Sequence, residues 1–359
     1  MAGFRLLPAI AVALALAAAQ ASAATVAIVA PTEGAYAALG RQVIDGATAA
    51  AKATGIDITL IQETCEPDSS AALGETLRAA RVDAAIGFLC SESLESALPA
   101  LKDAAIPAIT ISVRGKIIME DALKHGWPLF RLAPSSDAEG QALSEVILRD
   151  WQGFAFALLD DGTIHGRELA EAIRNTLEER GMKPAFTDTY RPGQEQQVAL
   201  VRRLKKAGIT HAFVGGDRSD VAIIARDAAS EAIPLTLLGG DAMTAADQPV
   251  PLADGTLAVA LPDAARLPAA AEAAAALRAA GIEPEGYVLP AYTAIQIAAA
   301  AIQQAGAAAK PVAELLVGPS FATVVGPLAF TTGHELAQNP YRLQVWRNKA
   351  FDVLPATTQ

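Results

Sequence analysis

The residues with the clearest chemical potential are two cysteines, Cys65 and Cys90, which are 25 positions apart. The chain contains no other cysteine. In an oxidising compartment they can pair only with each other, so we predict a disulfide. Each cysteine follows an apolar run typical of a buried strand, and Cys90 leads directly into a helix start. The bond would therefore lie at the carboxyl edge of a parallel sheet, where α/β folds place their ligand sites.

Patterns typical of catalysis or metal binding are scarce. The chain has no glycine-flanked serine of the nucleophile-elbow type, no Walker phosphate loop and no paired-histidine motif. We interpret the scattered histidines as surface or hydrogen-bonded side chains rather than metal ligands. These are His125, His165, His211 and His334. We predict no catalytic residue, no metal and no cofactor, with a secreted enzyme kept as an alternative.

Ser91 lies where a predicted strand turns into a helix, in the segment Cys90-Ser91-Glu92-Ser93. A hydroxyl and free backbone N–H groups at a helix N-terminus can bind a carboxylate or a phosphate. Alternatively, Ser91 only caps its own helix. The residue types leave both interpretations open.

Other polar residues also follow predicted strands. Ser112 and Arg114 end one strand, and Arg114 can pair bidentately with an anion, although a lone loop arginine is usually solvated. Asp217 and Asp241 each follow a strand and a Gly-Gly pair. The glycines would let a ligand approach the backbone closely, and either aspartate could hold an ammonium group. Alternatively, both aspartates cap the helices that follow them.

Short apolar runs rich in β-branched residues alternate with amphipathic stretches along the chain. The runs Val26–Ala30, Ile56–Ile61 and Val82–Leu89 are continuous rather than alternating, which indicates strands of a parallel sheet covered on both faces. Right-handed crossovers then build a doubly wound α/β layer. The pattern restarts after residues 128–134, so we predict two lobes of one architecture. Near the C-terminus we predict a strand over Thr323–Phe330.

Residues 1–23 have the features of a cleaved signal peptide. Arg5 precedes an apolar run from Leu6 to Ala19, and Ala21-Ser22-Ala23 supplies the cleavage pattern. The run is shorter than the roughly 20 residues that span a membrane. We therefore predict a periplasmic protein that begins near Ala24.

The overall length and charge narrow the class of protein further. A chain of 359 residues exceeds what one hydrophobic core usually holds, so two domains are expected. The formal net charge of −11 argues against binding to nucleic acid or to anionic membrane surfaces.

These residues give the chain a family resemblance. It resembles the periplasmic leucine/isoleucine/valine-binding proteins, the type I solute-binding receptors of ABC importers. The most specific match is Cys65-Glu66-Pro67 with Gly87-Phe88-Leu89-Cys90-Ser91, similar to the family's Cys-Asp-Pro and Gly-x-x-Cys-Ser segments. The resemblance extends from about Val26 to Trp346.

The resemblance implies an α/β fold with two doubly wound, Rossmann-like lobes joined by three hinge crossings. The crossings would lie near residues 132–135, 261–263 and 330–333. Lobe 1 would comprise residues 24–133 plus 263–331, and lobe 2 residues 134–262 plus 332–359. It also implies a monomer without catalysis that binds an amino acid or a related small polar solute between the lobes and delivers it to a permease of the inner membrane. A ligand-sensing ectodomain of the same fold is a further alternative.

The resemblance also assigns roles to individual residues. Ser91 would hold the ligand's carboxylate, and Asp241 would neutralise its ammonium group. Ser112 and Arg114 lie where the family grips the α-amino and carboxylate groups. Three more positions align with ligand-binding positions of the family, namely His165, Asp217 and Tyr287.

The chain departs from the family pattern at three of the aligned positions. Arg114 replaces a small hydroxyl residue, Leu39 stands where the family has tyrosine, and Asp217 stands where it has an aromatic residue. An extra cation and an extra anion would suit a more polar or differently charged solute than leucine, isoleucine or valine.

Overall fold

The computed structural model describes residues 24–65, 72–246 and 249–355. The predicted signal peptide lies outside these residues. Within them, no helix is both long enough and apolar enough to cross a membrane.

The N-terminal part of the chain forms a parallel sheet of five strands in the order β2-β1-β3-β4-β5. Its strands are β1 (Thr25–Ala30), β2 (Asp57–Gln62), β3 (Ala84–Gly87), β4 (Ala108–Thr110) and β5 (Leu129–Arg131). Strands β1 and β3 are adjacent in the sheet although they are not consecutive in the chain. At such a switch point the loops after the two strands diverge and leave a crevice.

The second sheet repeats this order and extends it. Strands β7-β6-β8-β9-β10 are parallel, and β13 and β14 add to β10 as antiparallel strands. These strands are β6 (Phe156–Asp160), β7 (Phe186–Thr189), β8 (His211–Gly215), β9 (Thr236–Gly239), β10 (Leu257–Ala260), β13 (Arg342–Arg347) and β14 (Ala350–Val353). The switch point of this sheet lies between β6 and β8. The restart of the sequence pattern therefore corresponds to a second sheet of the same winding.

Helices connect the strands and cover both sheets. In chain order they are α1 (Ala37–Thr54), α2 (Leu73–Ala80), α3 (Ser91–Asp103), α4 (Lys116–His125), α5 (Ala138–Asp150), α6 (Ile164–Glu179), α7 (Val198–Lys206), α8 (Arg218–Ser230), α9 (Ala271–Ala279), α10 (Val288–Ala308) and α11 (Val312–Leu316). Helix α10 returns from the C-terminal region to pack on α1 and β3, so the first sheet is covered by residues far apart in sequence.

The hydrophobic cores explain why the strands are apolar on both faces. In β1, Val26 and Ile28 belong to one core, whereas Ala27 and Val29 belong to the core on the opposite face. The second sheet likewise separates two cores. The prediction of parallel strands covered on both sides is therefore confirmed.

Two details differ from the sequence-based expectations. The segment Thr323–Phe330 is not one strand but contains the turn and the second strand of a β-hairpin. The two strands of this hairpin are β11 (Ser320–Thr323) and β12 (Gly326–Ala329). Gly326, with φ +99°, supplies the left-handed conformation at this reversal. Helix α4 was not predicted either. It lies between Arg114 and the next strand, so Arg114 belongs to a strand-to-helix loop at the carboxyl edge of the first sheet.

Candidate functional site

The predicted disulfide is present at the carboxyl edge of the first sheet. Cys65 and Cys90 are bonded, with their Cα atoms 5.5 Å apart. The bond joins the loop after β2 to the residue before α3. The residue before α3 follows β3, which borders the switch point of this sheet, so the disulfide anchors the turn that presents Ser91.

A buried carboxylate, Glu63, organises the same turn. Its side chain accepts hydrogen bonds from the backbone N–H groups of Leu89 (2.8 Å) and Cys90 (3.0 Å) and from the Ser93 hydroxyl. Burial raises the pKa of Glu63 above its usual value, while the three hydrogen bonds act in the opposite direction. The sequence analysis did not identify Glu63, because its partners lie 26 or more positions further along the chain.

The turn before Ser91 is held in an uncommon backbone conformation. Gly87 has φ +111°, and a Cβ at this position would overlap the Val29 carbonyl oxygen. Phe88, with φ +58°, is a fully buried non-glycine residue in the left-handed region. Such conformations persist where the surroundings impose them, often at functional sites.

Ser91 itself is the first residue of α3 and is exposed. The N-cap position is occupied by Cys90, and among the described residues no side-chain hydrogen bond caps this helix. The alternative that Ser91 merely caps its helix is therefore not realised. Ser91 and the start of α3 follow β3, which borders the switch point of the first sheet.

Ser112 and Arg114 lie on the loop after β4, but they behave differently. The Ser112 hydroxyl donates to the Leu89 carbonyl oxygen at 2.9 Å and so ties this loop to the turn before Ser91. The Arg114 guanidinium instead donates to the Tyr341 hydroxyl at 3.2 Å. Tyr341 immediately precedes β13 of the second sheet, so Arg114 bridges from one sheet to the other.

A second buried carboxylate, Glu139 in the first turn of α5, contacts the loop after β9. It is 8% exposed and accepts a hydrogen bond from the Asp241 backbone N–H at 2.7 Å. The Asp241 carboxylate in turn accepts from the Leu261 N–H at 2.9 Å, so it holds together the ends of β9 and β10. Asp241 was expected to meet an ammonium group directly, but it shares this place with Glu139.

Charges from both sheets act on Glu139. Burial raises its pKa, and the Asp241 carboxylate raises it further, whereas the Asp241 N–H, His165 and Arg114 lower it. Burial also raises the pKa of Tyr341 to about 12. The structure thus brings four groups into electrostatic contact around Glu139, three of which the sequence predicted. We call Arg114, Glu139, His165, Asp241 and Tyr341 the Glu139 cluster.

The glycine pairs before Asp217 and Asp241 do not serve the purpose suggested by the sequence. A Cβ on Gly216 would overlap the Tyr190 hydroxyl, and a Cβ on Gly240 would overlap the Glu139 carboxylate. The missing side chains therefore make room for groups of the protein itself.

Asp217 and Tyr287 complete the predicted set. Asp217 occupies the N-cap position of α8 but makes no side-chain capping bond, and it is exposed. Tyr287 precedes α10 and packs against the core of the first sheet, with its backbone N–H donating to Gln42 at 3.1 Å. In the described part of the chain, Tyr287 has no hydrogen bond to the Glu139 cluster.

The described residues offer one group with the spacing of metal ligands, formed by Glu63, Cys65 and Cys90. Both cysteines are in the disulfide, so they cannot ligate a metal as thiolates. The arrangement as a whole is suited to holding a charged small molecule by hydrogen bonds and ion pairs.

Comparisons with known proteins agree with this description. The sequence model of a family described as periplasmic binding protein matches residues 23–350. The Leu/Ile/Val-binding protein homolog 1 of Brucella suis biovar 1 is 28% identical over 342 residues, which cover 90% of this chain and 91% of that protein.

Solved structures show the same fold. The chain superposes with a TM-score of 0.79 on a Rhodospirillum rubrum protein assigned to a branched-chain amino acid ABC transporter, at 18% identity, covering 93% of this chain and 100% of that one. A solute-binding protein of an R. palustris ABC transporter, solved with 4-hydroxybenzoate, gives a TM-score of 0.63 at 15% identity, covering 93% and 96%.

Proposed function

Because this chain belongs to the periplasmic binding protein family, we propose that it is the substrate-binding component of an ABC importer. It binds an amino acid or a related small polar solute between its two sheets and presents the loaded form to a permease in the inner membrane. It acts as a monomer in the periplasm, after removal of residues 1–23, and performs no catalysis.

The observation that carries this proposal is the meeting of opposite charges from the two sheets at their carboxyl edges. Arg114 comes from the first sheet, and Glu139 and Asp241 come from the second. Carboxyl edges at switch points are where open α/β sheets bind their ligands. A zwitterionic solute matches such a pair of surfaces, because each of its charges meets a protein charge of opposite sign.

We assign the two ends of the solute as follows. The carboxylate is received by the Ser91 hydroxyl and the N-terminal N–H groups of α3, with Arg114 on the same side. The ammonium group is received by the Glu139–Asp241 pair, and His165 lies beside it. Tyr287 packs against the core of the first sheet, which supports a packing role for it rather than a polar contact with the solute.

Backbone contacts near two of the three predicted crossings support a hinge. The backbone of Arg131 forms a parallel β-bridge with that of Glu335. The predicted crossings near residues 132–135 and 330–333 therefore lie side by side. We propose that rotation about these crossings closes the two lobes over the solute without repacking either core.

A thermal-shift screen of the purified mature chain tests the proposal. The panel contains the twenty L-amino acids, their deaminated analogues, benzoate and 4-hydroxybenzoate. A ligand present at 100 times its Kd stabilises the folded state by about 2.7 kcal/mol, and we expect this from at least one amino acid. Chemical conversion of a panel compound by the protein would instead support the enzyme alternative.

Small-angle X-ray scattering tests closure separately. The radius of gyration is measured without solute and with the amino acid that gives the largest thermal shift. We expect it to decrease on binding. An unchanged profile at saturation would contradict hinge closure while leaving solute binding intact.

A further inference from the structure

A second group of acidic residues lies at the switch point of the second sheet, away from the Glu139 cluster. Asp161 follows β6, Tyr190 follows β7, Asp217 follows β8, and Asp220 lies in the first turn of α8. We call these four residues the Tyr190 patch. The switch point is where the crevice of this sheet opens.

The hydroxyl of Tyr190 has no hydrogen-bond partner within the described part of the chain, although the residue is only 4% exposed. It lies over Gly216, where an added Cβ would overlap it, and the Cβ of Asp161 lies 3.1 Å from that same point. The hydroxyl therefore lies between the loop that carries Asp161 and the loop that carries Gly216 and Asp217. A buried hydroxyl without a partner is costly, and native proteins seldom leave one.

The carboxylates around Tyr190 are close enough to repel one another. Burial raises the pKa of Tyr190, and Asp220, Asp161, Asp217 and Asp160 raise it further. Burial likewise raises the pKa of Asp220, and Asp217 and Asp161 add to this effect, while the Gly193 N–H opposes it. A positive group placed here would relieve the repulsion.

Each aspartate of the patch keeps an oxygen atom that no described residue bonds. Asp161 uses Oδ1 to accept from the N–H (2.9 Å) and the hydroxyl (2.6 Å) of Thr163. Asp220 uses Oδ1 to accept from the Gly193 N–H at 2.9 Å. Asp217 is exposed and makes no capping bond.

Arg218 and Arg167 each contact a group outside the patch. The Arg218 guanidinium lies 4.2 Å from the centre of the Trp346 ring and donates to the Met243 carbonyl oxygen at 2.6 Å. Arg167 lies 4.0 Å from Asp160, which is outside the patch as defined. Of the three carboxylates, Asp217 is exposed, whereas Asp161 and Asp220 are 8% and 2% exposed.

We propose that the Tyr190 patch receives a second cationic group of the bound solute, an ammonium or guanidinium at the end of its side chain. The site then selects a basic amino acid over an aliphatic one. This inference rests on the proposed function, because it assumes that the α-ammonium group lies at Asp241.

The spacing of the strands agrees with a solute of this size. Neighbouring strands are about 4.8 Å apart, and β9, β8 and β6 are successive in the sheet. The patch therefore begins about 5–10 Å from Asp241 along the edge, which a side chain of four or five atoms can bridge.

An organic cation suits the patch better than a bare metal ion. Within the described ranges, three potential ligand atoms lie within 4.8 Å of one another at Glu63, Cys65 and Cys90 but not in this patch. Metal coordination needs carboxylate oxygens that converge more closely, whereas an ammonium or guanidinium group can donate to oxygens that are further apart.

Isothermal titration calorimetry with two matched pairs of solutes tests the inference. L-lysine is compared with L-norleucine, which lacks only the ε-amino group, and L-arginine with L-citrulline, which is its neutral counterpart. We expect the charged member of at least one pair to bind about tenfold more tightly or better. Asp217→Asn should reduce this ratio severalfold, and Tyr190→Phe should reduce it as well. The matched control is Asp254→Asn, since Asp254 is exposed and precedes β10 at the opposite edge of the sheet.

The outcomes separate the inference from the proposed function. If the neutral member of each pair binds as tightly as the charged one, the cationic subsite is wrong, and the receptor function stands. Binding of none of the four solutes would also overturn the cationic subsite, whereas the receptor function is decided separately by the panel of twenty amino acids. The ratio measured on the wild-type protein decides between these results, so the conclusion does not depend on the variants folding.

Discussion

Glu63 and Glu139 have similar roles at the residue scale, although they serve different sheets. Each is a buried carboxylate that accepts backbone N–H groups from a loop at a carboxyl edge, Glu63 from Leu89 and Cys90 and Glu139 from Asp241. Each thereby fixes the loop that carries a proposed ligand-binding residue. Both are expensive to ionise in the folded state, as their raised pKa values show.

Glu139 gives a prediction about pH. Because its pKa is raised by burial, protonated Glu139 stabilises the fold relative to ionised Glu139. This contribution is complete below the pKa of an unfolded glutamate and is lost as the pH rises through the folded pKa. The Glu139→Gln variant has no ionisable group at this position. The stability difference, defined as the free energy of unfolding of the wild type minus that of the variant, should therefore fall from pH 4 to pH 8. Urea unfolding at several pH values measures it.

The matched control is Glu145→Gln, which alters an exposed glutamate of the same helix. A Glu139→Gln difference that stays constant, or that grows as the pH rises, would show that Glu139 does not titrate as proposed.

Glu63 gives a prediction about stability at neutral pH. Glu63→Ala leaves the Leu89 and Cys90 N–H groups and the Ser93 hydroxyl without this partner. We expect a loss of about 1–3 kcal/mol in the free energy of unfolding, measured with urea under oxidising conditions. Glu95→Ala, on the exposed side of α3, should cost less than 0.5 kcal/mol, as is usual for surface changes, so roughly equal losses would refute the role of Glu63.

At the scale of secondary-structure elements, the connections between the sheets depend on Arg131 at the end of β5. Its side chain is 1% exposed and donates to the Arg114 and Gly115 carbonyl oxygens, each at 2.7 Å, and to Glu335 at 2.6 Å. The Arg131 guanidinium thus joins β5 to the β4–α4 loop and to the segment around Glu335. It also fixes the backbone of Arg114, whose side chain reaches the Glu139 cluster.

Arg131→Met should therefore destabilise the protein strongly. Breaking a fully buried ion pair costs about 3–5 kcal/mol, and we expect about 2–4 kcal/mol here because Glu335 is partly exposed. Chemical denaturation measures the loss. The double variant Arg131→Met with Glu335→Leu should recover part of it, since no unpaired charge remains. A double variant less stable than Arg131→Met would contradict this explanation.

The sequence predicts the strands and their pairing type well because a local property, a continuous β-branched run such as Val26–Ala30, decides both. It singles out Arg114 and Asp241 as candidates because both follow predicted strands. It misses Glu139, whose partner Asp241 lies 102 positions away, and whose place in the first turn of α5 is ordinary for a glutamate. It also misjudges the glycine pairs, since only the tertiary structure shows that Tyr190 and Glu139 occupy their space.

At the scale of the whole molecule, two sheets of identical winding present surfaces of different charge. The edge of the first sheet offers Ser91, the start of α3 and Arg114. The edge of the second offers the carboxylates of Glu139 and Asp241 and those of the Tyr190 patch. This polarity is what a solute with a carboxylate at one end and amino groups at the other requires.

Titration calorimetry of the mature chain with L-α-amino acids, each paired with its deaminated analogue, tests the central claim most directly. We predict one binding site per chain for at least one amino acid and a loss of affinity of at least about 100-fold when the α-amino group is removed, because the carboxylates of Glu139 and Asp241 are then left without their cation. Equally tight binding of the deaminated analogue, or of 4-hydroxybenzoate, would contradict the assignment of the second sheet as the ammonium-binding side.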